Sequence, residues 1–132
     1  MDDKHYAVMV VEDEELLLMA ITKKLQINGY QVVSCKRGEQ AIDYLKNMDK
    51  KPDVIWLDYH LKDMDGIVFM TALKALPGAL DIPVMVVSNS ASDDKVHGML
   101  ALGVKKYMLK AQYRLDDLIA ALREIIPAAR EI

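Results

Sequence analysis

The chain has 132 residues, 52% of them hydrophobic, and a formal net charge of −3 at pH 7. This length and composition fit a single domain, residues 1–132, with a sizeable core. The mild charge, without a basic block, argues against nucleic acid as a direct partner. Cys35 is the only cysteine, which excludes an internal disulfide and fits a reducing cytoplasm. No apolar stretch approaches the length of a membrane span, and residues 1–5 lack the apolar segment of a signal peptide. We therefore expect a cytoplasmic domain with no membrane partner.

Short apolar runs rich in β-branched residues alternate along the chain with segments of helical periodicity. The predicted strands cover about residues 6–11, 31–36, 53–58, 83–88 and 104–110. The first, fourth and fifth predicted helices cover about residues 14–28, 91–102 and 113–126. The second begins near residue 38, and the third follows the loop 62–66 and ends at about residue 76. Gly29 and Gly103 are stop signals after the first and fourth helices. Continuous apolar strands separated by helices indicate a parallel sheet buried on both faces, so the pattern predicts an α/β fold of five βα units.

Polar side chains follow four of these apolar runs, each at the point where the predicted strand ends. They are Glu12 and Asp13 after the first strand, Asp58 after the third, Ser88 after the fourth and Lys110 after the fifth. In an open parallel sheet, ligands bind in the crevice outside the carboxyl ends of the strands, so these groups are predicted to meet there. Three carboxylates in one place would repel one another, and a hard divalent cation with oxygen ligands would relieve that repulsion.

Five short motifs contain these residues and occur in a fixed order. They are Val-Val-Glu-Asp-Glu (10–14), Pro-Asp-Val-Ile-Trp-Leu-Asp (52–58), Met-Asp-Gly (64–66), Pro-Val-Met-Val-Val-Ser (83–88) and Gly-Val-Lys-Lys-Tyr-Met-Leu-Lys (103–110). On these motifs, the chain resembles from end to end a receiver domain of the two-component response-regulator family. The resemblance implies a single flavodoxin-like, doubly wound domain, with five parallel strands in the order 2-1-3-4-5 flanked by five helices.

The resemblance also implies a role for each polar residue. Asp58 would be the phosphoacceptor, because a carboxylate can attack a phosphoryl group and form an acyl phosphate. Mg²⁺ would neutralise the charge between the two anions. Its ligands would be Asp13 and Asp58 directly, Glu12 through water, and the backbone carbonyl of His60. The groups that bind the phosphoryl oxygens or respond to them would be Ser88, the backbone N–H of Asn89, Lys110 and the switch aromatic Tyr107.

Structural roles remain open beside these functional ones. Asp58 could be a turn residue, and Tyr107 could be a half-buried ring of the core. Ser90 or Ser92 is predicted to cap the fourth helix.

Two departures from the family pattern also carry predictions. Lys62 and Asp63 replace the usual Pro-Gly, which predicts a freer loop.

Ala111 follows Lys110 where the family has proline. A cis bond costs about 2.5–4 kcal/mol before a non-proline residue, against about 0.5–1 kcal/mol before proline. The sequence therefore predicts a trans peptide here, with Lys110 redirected or the loop rearranged.

The function predicted from this pattern is that of a phosphoacceptor signalling domain and not of a turnover enzyme. It would take a phosphoryl group from a sensor histidine kinase or a histidine phosphotransfer protein. Its fourth helix, fifth strand and fifth helix would then switch and bind a downstream protein or a second copy. Two alternatives stay open: the N-terminal receiver of a longer regulator with a separate output domain, and a small Mg²⁺-dependent phosphohydrolase. The phosphohydrolase usually needs a second acid beside the nucleophile, whereas Tyr59 and His60 follow Asp58.

Overall fold

The computed structural model describes residues 6–79 and 81–126, and within them strands and helices alternate. The strands are β1 Ala7–Val11, β2 Gln31–Cys35, β3 Val54–Leu57, β4 Val84–Ser88 and β5 Lys106–Leu109. The α-helices are α1 Glu15–Ile27, α2 Gly38–Asn47, α3 Gly66–Lys74, α4 Asp93–Ala101 and α5 Leu115–Ile125. In this described part of the chain, no helix is both long and apolar enough to span a membrane. The prediction made for residues 1–5 lies outside it.

The five strands form one parallel sheet in the order β2-β1-β3-β4-β5, which confirms the predicted fold class. From β1 the chain moves outward to β2 and then returns to the other side of β1 as β3. This reversal creates the crevice in which such sheets bind ligands. Val11 at the end of β1 pairs with Leu57 at the end of β3, so the residues that follow these two strands emerge side by side.

Each face of the sheet is covered by its own apolar layer. Successive residues of a strand point to opposite faces, so β1 contributes Met9 and Val11 to one layer and Val8 and Val10 to the other. Helices α2, α3 and α4 cover the first layer, and α1 and α5 cover the second. Fully burying a large apolar side chain contributes about 1.5–3 kcal/mol, so these two layers stabilise the sheet that carries the polar loop residues.

The predicted element boundaries differ from the observed ones by one or two residues. Helix α4 begins at Asp93 and not at 91, because the Ser92 side chain accepts a hydrogen bond from the Lys95 backbone N–H (3.3 Å) and caps the helix. Helix α5 begins two residues later than predicted, because residues Lys110–Gln112 form a 3₁₀ turn. The two predicted stop signals, Gly29 and Gly103, have φ angles of 93° and 97°, which glycine adopts readily.

Candidate functional site

The acid pair Glu12 and Asp13 lies in the turn between β1 and α1. The Glu12 backbone N–H donates to the Cys35 carbonyl (3.0 Å), so the pairing with β2 continues past the end of β1. The Glu12 side chain is buried, and its Oε2 accepts a hydrogen bond from the Glu14 backbone N–H (3.0 Å). Asp13 is partly exposed at the crevice. The strand end thus fixes one carboxylate inside the protein and leaves the next one facing outward.

Asp58 follows β3 directly and is held beside the acid pair. Its backbone N–H donates to the Val11 carbonyl (3.0 Å), and its Oδ1 accepts a hydrogen bond from the His60 backbone N–H (3.3 Å). Burial, together with the negative charge of Glu12, raises the pKa of Asp58 to about 7, although Lys110 and the His60 N–H act in the opposite direction. With Asp58 ionised, three carboxylates face the single ammonium group of Lys110, so the site has more negative charge than its own groups neutralise.

The three carboxylates could hold a metal ion. One oxygen from each of Glu12, Asp13 and Asp58 lies within 4.8 Å of the others. Carboxylate oxygens are hard ligands that suit Mg²⁺, Ca²⁺ or Mn²⁺ and not the soft metals. Burial is the larger cause of the raised pKa of Asp58, and the charge of Glu12 adds to it; a divalent cation would offset that charge. The donor set thus fits the predicted Mg²⁺ on both geometric and electrostatic grounds.

Among the described residues, the side chain of Lys110 provides the positive charge next to these three carboxylates. Its Nζ lies 3.0 Å from Glu12 Oε1 and 3.4 Å from Asp58 Oδ2. Burial acts to lower the pKa of Lys110, but the hydrogen bond to Glu12 and the charge of Asp58 outweigh it and raise the pKa. The ammonium group is therefore charged. The Lys110–Ala111 peptide is trans, as predicted. Lys110 is not redirected, since its ammonium group contacts the carboxylates, and residues Lys110–Gln112 form a 3₁₀ turn.

Ser88 and Tyr107 are connected through the backbone of Ser90. Ser88 is buried at the end of β4, and its Oγ accepts a hydrogen bond from the Ser90 backbone N–H (3.3 Å). The Tyr107 hydroxyl donates to the Ser90 carbonyl (2.7 Å) from a half-buried position on β5. Asn89 lies between these contacts and is exposed. A movement of the Ser88 hydroxyl would therefore release the N–H of Ser90, the residue whose carbonyl holds the Tyr107 ring.

Sequence reasoning missed Lys95, which joins α4 to the loop after β3. Its Nζ donates to Ser90 Oγ (2.9 Å) and lies 2.9 Å from His60 Nε2. The same ammonium group lies 5.3 Å from the centroid of the Tyr59 ring, an arrangement that is favourable for a cation and an aromatic face. Lys95 belongs to none of the five motifs, and a lysine in the first turn of a helix gives no signal of such a contact.

Asp63 also has a contact that the sequence did not reveal. Its Oδ1 accepts a hydrogen bond from the Gly38 backbone N–H (3.0 Å), and its Oδ2 accepts one from the Glu39 backbone N–H (2.9 Å). These donors are at the start of α2, where backbone N–H groups lack partners within the helix. The replacement of Pro-Gly by Lys62 and Asp63 predicts a freer loop. That prediction is wrong, because the Asp63 carboxylate binds this loop to the start of α2.

Comparison with known proteins gives a family and a set of relatives. The family model described as the response regulator receiver domain matches residues 8–123. The transcriptional regulatory protein PrrA of Mycobacterium tuberculosis is 32% identical over 120 residues, which are 90% of this chain and 49% of PrrA. The chain spans about half the length of the curated relatives it matches.

Two solved structures share the architecture. A CheY-like receiver domain protein from Methanospirillum hungatei superposes with a TM-score of 0.83 at 22% identity, covering 96% of this chain and 97% of its own. The receiver domain of sensor histidine kinase PA1611 from Pseudomonas aeruginosa carries a magnesium ion in its active-site cleft. It has a TM-score of 0.80 at 22% identity and covers 92% of this chain and 98% of its own. At these identities the two structures show a common fold. With the family model matched from β1 to α5, the chain belongs to the response regulator receiver domains of two-component signalling systems.

Proposed function

We propose that this receiver domain takes a phosphoryl group from a phosphohistidine of a kinase or phosphotransfer protein onto Asp58. A carboxylate oxygen of Asp58 attacks the phosphorus atom, and the bond between phosphorus and the imidazole nitrogen breaks. The electron pair stays on the imidazole, which leaves with the proton already on its other nitrogen. The observation that carries the proposal is the contact of the Lys110 ammonium with both Asp58 and buried Glu12.

The side chains around Asp58 have distinct roles in this proposal. Lys110 favours the ionised form of Asp58 and supplies hydrogen bonds to the phosphoryl oxygens once they arrive. Ser88 Oγ and the backbone N–H of Asn89 would approach the same oxygens. Ser88 ends β4 and Asn89 follows it, and both lie next to the Lys110 end of β5, because Ser88 pairs with Leu109. Neutral and charged donors that are fixed in advance stabilise a developing phosphoryl charge most effectively.

Mg²⁺ would be held by Asp13 and Asp58, with the His60 carbonyl as a further ligand. When bound, it would neutralise the charge between Asp58 and the incoming phosphoryl oxygens. The assignment of Glu12 to an outer position, through water, is supported by its existing contacts. One of its oxygens accepts from Lys110 and the other from the Glu14 N–H, so both are already engaged by the protein.

Labelling with a small phosphodonor tests the phosphoacceptor. Acetyl phosphate with millimolar Mg²⁺ should give about one hydroxylamine-labile phosphoryl group per chain. Asp58→Asn should abolish the labelling, because an amide oxygen is a poor nucleophile. Asp43→Asn, at an exposed position of α2, is the matched control and should be labelled normally. Full labelling of Asp58→Asn, or labelling that a chelator leaves unchanged, would contradict the assignment. Continuous turnover of a phosphorylated small molecule would instead favour a phosphohydrolase.

Trp56 gives a separate test of the metal site. It lies on β3 two residues before Asp58, so a change at the end of that strand should reach it. We expect Mg²⁺ to change the fluorescence of this single tryptophan, and Asp13→Ala to weaken the response. Calorimetry that detects no Mg²⁺ binding at millimolar concentrations would contradict the metal site itself.

The phosphodonor protein is proposed to dock on α1, which begins directly after the acid pair. Leu16, Met19 and Ile27 are 77%, 60% and 71% exposed. Residues three and eleven positions apart lie on one side of a helix, so these side chains share a side of α1. Leu16 and Met19 form an apolar pair next to the site, and the exposed Lys23 separates them from Ile27. Exposed apolar patches mark protein contacts.

A pair of substitutions, Leu16→Asp and Met19→Asp, should slow transfer from a phosphohistidine protein at least tenfold and leave labelling by acetyl phosphate unchanged. Val68→Asp on α3 is the control, and equal slowing of both donors would contradict this docking site.

A further inference from the structure

Ser90, in the segment between β4 and α4, is held by three hydrogen bonds. Its N–H donates to Ser88 Oγ (3.3 Å), its carbonyl accepts from the Tyr107 hydroxyl (2.7 Å), and its Oγ accepts from Lys95 Nζ (2.9 Å). The first two bonds lead to the end of β4 and to β5. The third leads to α4, because Lys95 lies in the first turn of that helix. Ser90 therefore connects both switch side chains to the start of α4.

The Lys95 ammonium group also joins this segment to the loop after β3. It lies 2.9 Å from His60 Nε2, and because an ammonium group has only donors, the imidazole nitrogen accepts. The same group lies 5.3 Å from the centroid of the buried Tyr59 ring, where a positive charge is favourable. One side chain of α4 thus contacts the loops that follow both β3 and β4.

His60 is a fixed point for this lysine. Its backbone N–H donates to Asp58 Oδ1 (3.3 Å), and its backbone pairs with Asp65 in an isolated antiparallel bridge. Asp65 in turn caps α3, because its Oδ1 accepts a hydrogen bond from the Val68 N–H (2.9 Å). Lys95 therefore binds the start of α4 to a loop that is itself anchored to the phosphoacceptor and to α3.

We propose that Lys95 is a latch that holds Ser90 and the start of α4 against His60 in the unphosphorylated protein. The latch opposes the movement of this segment when Asp58 is phosphorylated, a role that rests on the function proposed above. When the Ser88 hydroxyl turns toward a phosphoryl group, the Ser90 N–H loses its acceptor and the segment shifts. The shift breaks the bond from Lys95 to Ser90, so this bond stabilises the inactive state and not the active one.

Binding of beryllium fluoride, which forms a phosphoryl mimic on an aspartate, measures the effect of the latch. A ligand that needs the active state binds more tightly when a contact made only in the inactive state is removed. Lys95→Met keeps an unbranched apolar stem and removes the ammonium group. At saturating Mg²⁺ it should lower the Kd for beryllium fluoride about fivefold, measured by NMR titration. Lys62→Met, the control, removes an exposed lysine from the loop that contains His60 and should not lower this Kd.

Ser90→Ala removes the same hydrogen bond without a change in charge. It should also lower the Kd for beryllium fluoride, and in the Lys95→Met background it should have little further effect, because both substitutions remove one contact. Unchanged binding in Lys95→Met, or additive effects of the two substitutions, would overturn the latch. Weaker binding in Lys95→Met would overturn it as well, and would mean that Lys95 contacts the phosphoryl group itself.

Hydrogen exchange separates failure of the latch from failure of the phosphoacceptor assignment. In the metal-free protein without the mimic, Lys95→Met should speed amide exchange in α4 about fivefold and leave exchange in α2 unchanged. If the wild type binds no beryllium fluoride but Lys95→Met shows this increase, the assignment of Asp58 fails and the latch on α4 stands. An unchanged exchange rate in α4 would overturn the latch, whatever the result with the mimic.

Discussion

The Tyr107 hydroxyl donates a 2.7 Å hydrogen bond to the backbone carbonyl of Ser90, whose own N–H donates to the Ser88 hydroxyl. One peptide segment thus connects a buried side chain at the end of β4 with a ring that is half-buried on β5. If Ser88 turns toward a phosphoryl group, its contact with the Ser90 N–H is lost. We expect the carbonyl of Ser90 to shift with it and to weaken the hydrogen bond that anchors the Tyr107 ring.

Tyr107→Phe removes that anchor alone. We expect the free energy of unfolding, measured in urea, to fall by about 1 kcal/mol, because a net hydrogen bond contributes about that much. The amide signal of Ser90 should move in the NMR spectrum of the unphosphorylated protein. Tyr44→Phe, at an exposed tyrosine of α2, is the control and should change neither quantity. An unchanged Ser90 amide in Tyr107→Phe would contradict the proposed connection.

The fold and the principal acids could be predicted because both are encoded locally. Buried strands read as continuous apolar runs, and Glu12, Asp13, Asp58 and Lys110 follow such runs directly. The strand order needed the family resemblance, since periodicity does not say which strands are neighbours. Once that order is known, the pairing of Val11 with Leu57 brings the acids together.

The contacts of Lys95 and Asp63 could not be predicted, because each depends on two distant elements meeting. Lys95 is 35 residues from His60, and Asp63 is 25 residues from Gly38. Charged residues near helix starts and in loops are common, and their type says nothing about a partner that only tertiary packing supplies.

Asp63→Ala should lower the free energy of unfolding by about 1 kcal/mol at pH 7, as loss of a helix cap does. Partial burial acts to raise the pKa of Asp63, but hydrogen bonds from the Glu39 and Gly38 N–H groups outweigh it and lower the pKa below its usual 3.8. The charge-dependent part of this contribution is present above pH 3.8 and is lost as the pH falls through the lower, folded-state pKa.

Urea titrations of the wild type and Asp63→Asn from pH 7 to pH 3 measure that dependence. The asparagine keeps an acceptor oxygen but has no charge to lose, so the difference in unfolding free energy should shrink toward the acid end. The exposed Asp49, replaced by alanine, is the control for the loss of any surface carboxylate. A difference that stays constant with pH would mean that the charge of Asp63 contributes nothing to the cap.

Lys110→Gln should have opposite effects on stability and on metal binding. Without Mg²⁺, Glu12 and Asp58 lose the cation between them, and the free energy of unfolding should fall by about 3 kcal/mol. The Kd for Mg²⁺, measured by calorimetry, should decrease about threefold because a neighbouring positive charge is gone. Lys36→Gln, which removes an exposed pair with Glu15, should change neither quantity appreciably. Weaker Mg²⁺ binding in Lys110→Gln would contradict this electrostatic account.

The proposed output face consists of α4, β5 and α5, and its charges are mixed. Asp93 and Asp94 begin α4, and Asp116 and Asp117 lie in the first turn of α5. Lys106 on β5 pairs with Glu124, so its charge is already offset. A dense basic stripe is the usual signature of nucleic acid binding, and the acids at the starts of α4 and α5 would repel phosphates. We therefore propose that this face binds a protein, either a downstream target or a second copy of the chain.

Activation by beryllium fluoride and Mg²⁺ should shift amide signals across residues 104–110 and throughout α4, because Ser88, Ser90 and Tyr107 form one connected path to this face. The phosphoryl mimic can shift the equilibrium between an inactive and an active state only if it binds the active state more tightly. Ser88→Ala removes a hydroxyl that would contact the mimic in the active state, so it should reduce the shifts at α4 more than those at Asp58. Thr71→Ala, an exposed hydroxyl on α3, is the control. Shifts confined to the loop after Asp58, or tight DNA binding by these 132 residues at physiological salt, would contradict this account of the output.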